Sequence, residues 1–192
     1  RVQAVPDPRF LAHWHTDDRE YFQLELFQYQ TPPSRAYARL RSPWDIGYSR
    51  IALEVNDPSA LHAACEKQSV PGLSPLTSIA GRPHFAMRDP NGVLLEVGPA
   101  TEPVPAPIGA RFAGVALSVP SLDVALQSFR DAAACPVRDA SPPDKGLLWH
   151  EPRARKRSVL LDAGPAWLEI TEYTQPSPKP WPDGYRICDF GI

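Results

Sequence analysis

The sequence predicts an α+β protein of tandem βαβββ modules whose mixed sheets curl around a cavity. Three observations lead there: a strand–turn–helix segment that occurs twice, an apolar strand bearing glutamate that occurs three times, and an Asp-Pro-Asn-Gly turn running into one of those strands. A repeated unit is informative because each copy is a supersecondary element that buries its apolar face against its neighbours.

The strand–turn–helix repeat comes first. Residues 49–61 (SRIALEVNDPSAL) lie over residues 113–126 (AGVALSVPSLDVAL), with one extra residue in the second turn. In the first copy Ile51, Leu53 and Val55 alternate with Ala52 and Glu54, and in the second Val115, Leu117 and Val119 alternate with Ala116 and Ser118, the period of a half-buried strand. Helical spacing follows each strand. Leu61, Ala64 and Cys65 come after an N-cap at Asp57 or Ser59, and Leu122, Ala125, Leu126 and Phe129 come after Ser121.

The glutamate strands are Phe22–Tyr29, Leu94–Val97 and Trp167–Tyr173. The first and third continue alike, into Gln30-Thr-Pro-Pro33 and Thr174-Gln-Pro-Ser177, so their modules look like one type. Residues 1–40 then hold only the later strands of a module, 41–105 and 106–180 are complete βαβββ modules, and 181–192 repeats the lead-in to Gly47-Tyr48. That layout suggests a longer protein with further modules, or degenerate outer ones. The 24 prolines fall mainly in the connections, at 103–107, 142–143 and 176–182, because proline neither donates to a ladder nor continues a helix.

Asp89-Pro-Asn-Gly92 is a tight hairpin turn, since Asn-Gly favours positive φ, and it delivers the strand that carries Glu96. This Arg88-Asp-Pro-Asn-Gly-x-Leu-Leu-Glu96 run, at the end of a strand–helix unit that is itself duplicated, resembles the vicinal oxygen chelate superfamily of glyoxalases, bleomycin-resistance proteins and extradiol dioxygenases. The resemblance covers nearly the whole chain. It implies paired modules whose sheets share a cavity, with divalent-metal ligands on the first and last strands of each module, the first strand opening with histidine. Residues two apart on a strand share a face, so such a histidine and a last-strand glutamate can meet inside, where an ion with open positions would chelate two substrate oxygens.

Here the chain departs from the pattern. The opening position is Arg50 in one complete module and Gly114 in the other, and neither is an ordinary metal ligand. The last-strand carboxylates Glu96, Glu169 and Glu25 remain. Without imidazole they suit Mg or Mn better than a softer ion, so no cofactor is assigned, with Fe, Mn, Zn or Ni as the divalent metals the resemblance allows. Arg50 shares its strand face with Glu54 and is expected to point toward Glu96 and toward Glu25. There it either grips an acidic ligand or merely satisfies buried charge. Arg50, Glu54, Glu96, Glu25, Glu169, Tyr29 and Tyr173 form the expected ligand-binding set, the tyrosines sharing faces with Glu25 and Glu169.

His13 and His15 lie on one face of a strand ahead of Glu25 and are weak metal candidates together with Glu25 and Glu96. His84 reads as a sheet-surface residue, His62 and His150 as exposed, and Arg153–Arg157 as a solvated hairpin loop. Cys65, Cys135 and Cys188 form no CxxC pair, which argues against a disulfide framework or a zinc knuckle.

A formal charge of −2 with interspersed signs leaves no stripe for a phosphate backbone, so nucleic acid is not an expected partner, and no apolar run suits a membrane span. The expected partners are a small oxygen-rich or aromatic molecule and a second copy of the chain, in the cytoplasm. Three functional readings stand: a metal-independent ligand-binding protein or unusual lyase or isomerase; a metal-dependent dioxygenase, lyase or isomerase whose working ligands lie in modules absent from this chain; and structural or interaction modules.

Overall fold

The computed structural model describes residues 5–19, 23–36, 40–106, 109–133, 135–181 and 183–189. A two-stranded antiparallel sheet, β1 (Arg9–His15) and β2 (Leu24–Thr31), comes first. Two units of the same succession follow: β3 (Gly47–Val55), α1 (Pro58–Lys67), β4 (Thr77–Ile79), β5 (Arg82–Arg88) and β6 (Leu94–Pro99), then β7 (Ala110–Ser118), α2 (Leu122–Ala133), β8 (Val137–Asp139), β9 (Arg155–Ala163) and β10 (Ala166–Gln175).

The units join edge to edge in one curled sheet of order β4-β5-β6-β3-β7-β10-β9-β8. Each first strand runs parallel to the last strand of its own unit, β3 beside β6 and β7 beside β10, and the two first strands meet antiparallel at the centre. The strands that bear Glu96 and Glu169 therefore flank the central pair. Register aligns Ala52 with Glu96 and Ala116 with Glu169.

Local chemistry sets each element. Asp57 caps α1, its Oδ1 accepting from Ala60 N at 2.9 Å, with Pro58 pre-set for the first turn. At the β5–β6 hairpin, Gly92 takes φ +85° and its N–H donates to Asp89 O at 2.9 Å, while Asp89 Oδ1 accepts from Val93 N at 2.7 Å. Leu61 and Cys65 of α1 pack on Val55, Phe85 and Val97, and Leu122, Leu126 and Phe129 of α2 pack on Val159, Leu161, Leu168 and Ile170.

Strand alternation sends the intervening residues to the opposite, concave face, where Arg50, Ala52, Glu96, Ala116 and Glu169 are buried. That face is covered by the chain itself. The segment between β8 and β9 makes a short 3-10 turn at Gly146–Trp149, and Leu148 and Trp149 pack with Trp44 on Ile79, Ala86 and Leu94.

Described segments outside the two units also pack on this frame. Ile46 N donates to Lys179 O at 2.9 Å, the Trp181 ring fills the space beside Gly47, and Arg35 pairs with Asp189 at 2.5 Å. Arg111 of β7 pairs with Asp18, which follows β1, at 2.5 Å.

Two expectations are corrected. His62 is buried rather than exposed, because α1 turns it inward, where Nε2 lies 2.9 Å from Ser74 O and the ring meets Phe85 edge-on at 5.2 Å. The basic run at 153–157 is not wholly a loop, since β9 starts at Arg155 and Lys156 turns back to pair with Asp144 at 2.8 Å. Phe85, with no exposed surface at the α1 interface, is the side chain on which this packing rests. Phe85→Ala is expected to lower unfolding free energy by about 3–5 kcal/mol in urea titration.

Candidate functional site

Four charged side chains meet at the middle of the concave face. Arg50 Nε donates to Glu96 Oε2 at 2.8 Å and its Nη2 donates to Glu169 Oε2 at 2.6 Å. Lys145, from the segment that crosses the face, puts Nζ 2.7 Å from Glu96 Oε1 and 3.2 Å from Glu169 Oε2. The remaining oxygen, Glu169 Oε1, accepts from Thr171 Oγ1 at 3.4 Å, and Thr171 Oγ1 lies 2.9 Å from Ser158 Oγ. Each of the four carboxylate oxygens thus has a donor, and the quartet is neutral overall.

Position in the sheet explains the convergence. Glu96 and Glu169 stand on either side of β3 and β7, and the small side chains of Ala52 and Ala116 between them leave room above the strands. Arg50 is long enough to reach both glutamates from β3. Gly114, its counterpart in the second unit, lies against Trp167: a Cβ there would be 2.3 Å from Trp167 O and 2.4 Å from the ring. Glycine is what admits that indole, which in turn faces Lys145 Nζ at 4.9 Å, while Trp149 lies 5.4 Å from the Arg50 guanidinium carbon.

Burial and charge oppose each other here, and charge wins. Desolvation alone would raise both carboxyl pKa values, but Lys145 and Arg50 beside Glu96, and Arg50 and Lys145 beside Glu169, hold both below the ordinary 4.5. Burial would depress Lys145, but Glu96 and Glu169 raise it above the ordinary 10.5. Tyr173, buried on β10, is pushed up to about 12, chiefly by desolvation. At neutral pH the quartet is fully ionised, and none of these groups is poised to exchange a proton.

The expected site residues divide accordingly. Arg50, Glu96 and Glu169 come together, with Tyr173 beside them on β10; Glu54 is half-buried farther along β3, near Arg111. The second carboxylate of Arg50 is Glu169 and not Glu25, which faces Trp14 across the separate two-stranded sheet. Tyr29 belongs to that same sheet and packs on Phe10 and Phe27. His13 and His15 are exposed on β1, and no group of three His, Cys, Asp or Glu suited to a metal exists among the described residues. His84 is half-buried, its ring covering Gly98, and Cys65, Cys135 and Cys188 are not joined in disulfides.

Lys145 is the member that sequence reasoning missed. It lies in a proline-flanked connection without periodicity, and the available signal was the apolar run Leu147-Leu148-Trp149 just after it, too apolar for a solvated loop.

The donor set does not fit a divalent metal. No imidazole is within the quartet, and the oxygens that would ligate an ion are held by two fixed cations and a hydroxyl.

Removing one member of a buried, balanced set leaves a charge uncompensated, so Lys145→Ala is expected to cost about 3–5 kcal/mol in urea unfolding at neutral pH. The pH dependence has a definite sign on each flank. Both glutamates have folded pKa values below 4.5, so their contribution is complete above that value and is lost as pH falls through the lowered folded values. For Lys145 the contribution is complete below 10.5 and is lost as pH climbs through the raised folded value. Urea midpoints should therefore form a plateau between these flanks, with Glu169→Gln flattening the acid side.

No protein-family model and no curated protein matches the sequence. Among solved structures, a point mutant of glyoxalase I from Zea mays superposes with a TM-score of 0.61 at 15% identity, over 89% of this chain and 57% of that one. The chain thus spans a little over half the length of the maize protein. Methylmalonyl-CoA epimerases from Streptomyces coelicolor (a point mutant in complex with 2-nitronate-propionyl-CoA) and Mycobacterium tuberculosis give TM-scores of 0.43 and 0.41, at 14% and 15% identity. They cover 67% and 70% of this chain, and this chain covers 98% and 93% of theirs. Two βαβββ units joined through their first strands superpose on glyoxalase I, so this chain shares the fold of that protein.

Proposed function

We propose that this chain is a glyoxalase-like protein that binds a small oxygen-rich or aromatic molecule without the usual histidine metal ligands. The observation that carries the reading is the Arg50–Glu96–Lys145–Glu169 quartet, in which the chain's own cations neutralise the last-strand carboxylates. A fully ionised, internally satisfied quartet favours binding over proton transfer. It serves as the rigid floor of the fold rather than as an acid–base pair.

The ligand has room in a cleft that the quartet does not line. A cleft of about 340 Å³, at the small end of the range for organic ligands, opens at the start of β3 and the β5–β6 turn. Tyr48, Leu94, Leu40 and Trp181 give it an aromatic and apolar lining, and Arg41 and Arg88 supply guanidinium groups. Arg41 lies 3.7 Å over the Trp181 ring, which stacks on Tyr185 at 4.2 Å. Flat rings beside guanidinium suit a planar aromatic molecule that carries oxygens.

A thermal-shift screen of phenolic, aromatic carboxylate and dicarbonyl compounds tests this reading. Hits are expected among the aromatic acids, with Trp181→Ala weakening them about tenfold or more. A hit whose affinity is the same in Trp181→Ala, or no hit in any class, would sink it.

A second reading keeps a metal-dependent lyase, isomerase or dioxygenase, with the working ligands in modules outside this chain. The β1–β2 sheet favours it: β2 carries Glu25 in the last-strand position, yet among the described residues it pairs with β1 alone. Phe10, Leu11, Trp14, Leu26 and Phe27 are exposed on the same sheet, where another module or a second copy of the chain would add. Stoichiometric Fe, Mn, Zn or Ni in the purified full-length protein would favour this second reading.

A further inference from the structure

The glutamates that close the two units leave between them a place where one compact cation touches both. Lys145 Nζ is there, 2.7 Å from Glu96, 3.2 Å from Glu169 and 4.9 Å from the Trp167 ring centroid. We propose that the ammonium of Lys145 is the resident cation of the Glu96–Glu169 site, and that binding of a free cation and closure of the β8–β9 segment over the concave face exclude each other. The inference rests on the metal-free part of the reading above and not on the ligand cleft.

Three independent features shape the site for a primary ammonium. Two carboxylate oxygens accept from it, and the absence of imidazole in the set leaves nothing that a transition metal would select. The indole face of Trp167 adds a wall that favours an organic cation, and it stands there because residue 114 has no side chain. Arg50 takes the other oxygen of Glu96 and shares Glu169 Oε2, so one compact positive charge completes neutrality and a second positive charge would be in excess.

The approach of Lys145 is built into its neighbours. Asp144 Oδ1 accepts from Gly146 N at 3.0 Å and lies 2.8 Å from Lys156 Nζ, so the residue next to Lys145 is itself tied to β9. Leu148 N donates to Lys145 O at 3.0 Å, and Leu148 is anchored in the apolar cluster on β4, β5 and β6. The ion pair and this apolar anchor hold the same short turn, so displacing the lysine means lifting the segment.

Chemical rescue tests the assignment. Lys145→Ala in the full chain is titrated with methylammonium chloride, tetramethylammonium chloride and manganese chloride at matched ionic strength, and the wild type is treated in parallel. Methylammonium is expected to raise the melting temperature of the variant by about 5–10 °C at a hundredfold excess over its dissociation constant, and to leave the wild type unmoved. Tetramethylammonium, which has no N–H to donate, should give only the salt effect. Equal shifts from the two ammonium ions, or one manganese ion bound per wild-type chain at this site, would overturn the proposal. Should the variant fail to fold, competitive acylation of wild-type lysines decides. Lys145 is expected to react at least about tenfold more slowly than exposed Lys67, and equal rates would refute its residence in the site. Neither readout involves the ligand cleft, so failure of one proposal is distinguishable from failure of the other.

Discussion

The architecture depends on a neutral set of four buried charges. Glu96 and Glu169 come from strands on opposite sides of the central pair, Arg50 from one of that pair, and Lys145 from the segment that lies over them. Ions removed from water are costly unless every lone pair finds a partner, and here each carboxylate oxygen has one. That requirement couples three otherwise separate features: the pairing of the two units, the closure of the concave face, and the absence from the quartet of a group that titrates near neutrality.

Duplication explains where these charges stand, and departure from symmetry explains what they do. The first-strand position is Arg50 in one unit and Gly114 in the other. Arg50 spans both units and so serves both glutamates. Gly114 leaves a hollow that Trp167 fills, and the indole then becomes a wall for the second cation. One unit supplies a cation from its strand and the other from its loop, which is how a repeated sheet ends with a non-repeated centre.

Much of the frame was legible in the residues. Period-two alternation in Ile51–Val55 and Val115–Val119, the cap at Asp57, the amphipathic spacing of Leu122–Phe129 and the Asn91-Gly92 turn are local signals, and each describes an element that is present. The pairing of Arg50 with Glu96 followed from strand faces and from the first-strand and last-strand positions. Glu25 was linked to Arg50 by the same analogy, but β2 belongs to a different sheet, and Glu169 holds that role. His62 was assigned outward because the apolar spacing Leu61, Ala64 and Cys65 marked the inward face, whereas the buried residues of the helix are Pro58, His62 and Cys65.

What the sequence by itself determined is the set of elements, their repeated succession, and the presence of Arg50 and Gly114 at matching first-strand positions, because backbone periodicity and residue chemistry are local. What only the tertiary structure decided is which charges share a site. Lys145 has no periodic context, and its burial follows from Leu148 and Trp149 finding an apolar bed on strands more than 50 residues earlier in the chain. Such a contact depends on how two distant segments meet in space, and a buried charge is tolerated only where that meeting supplies its counterparts.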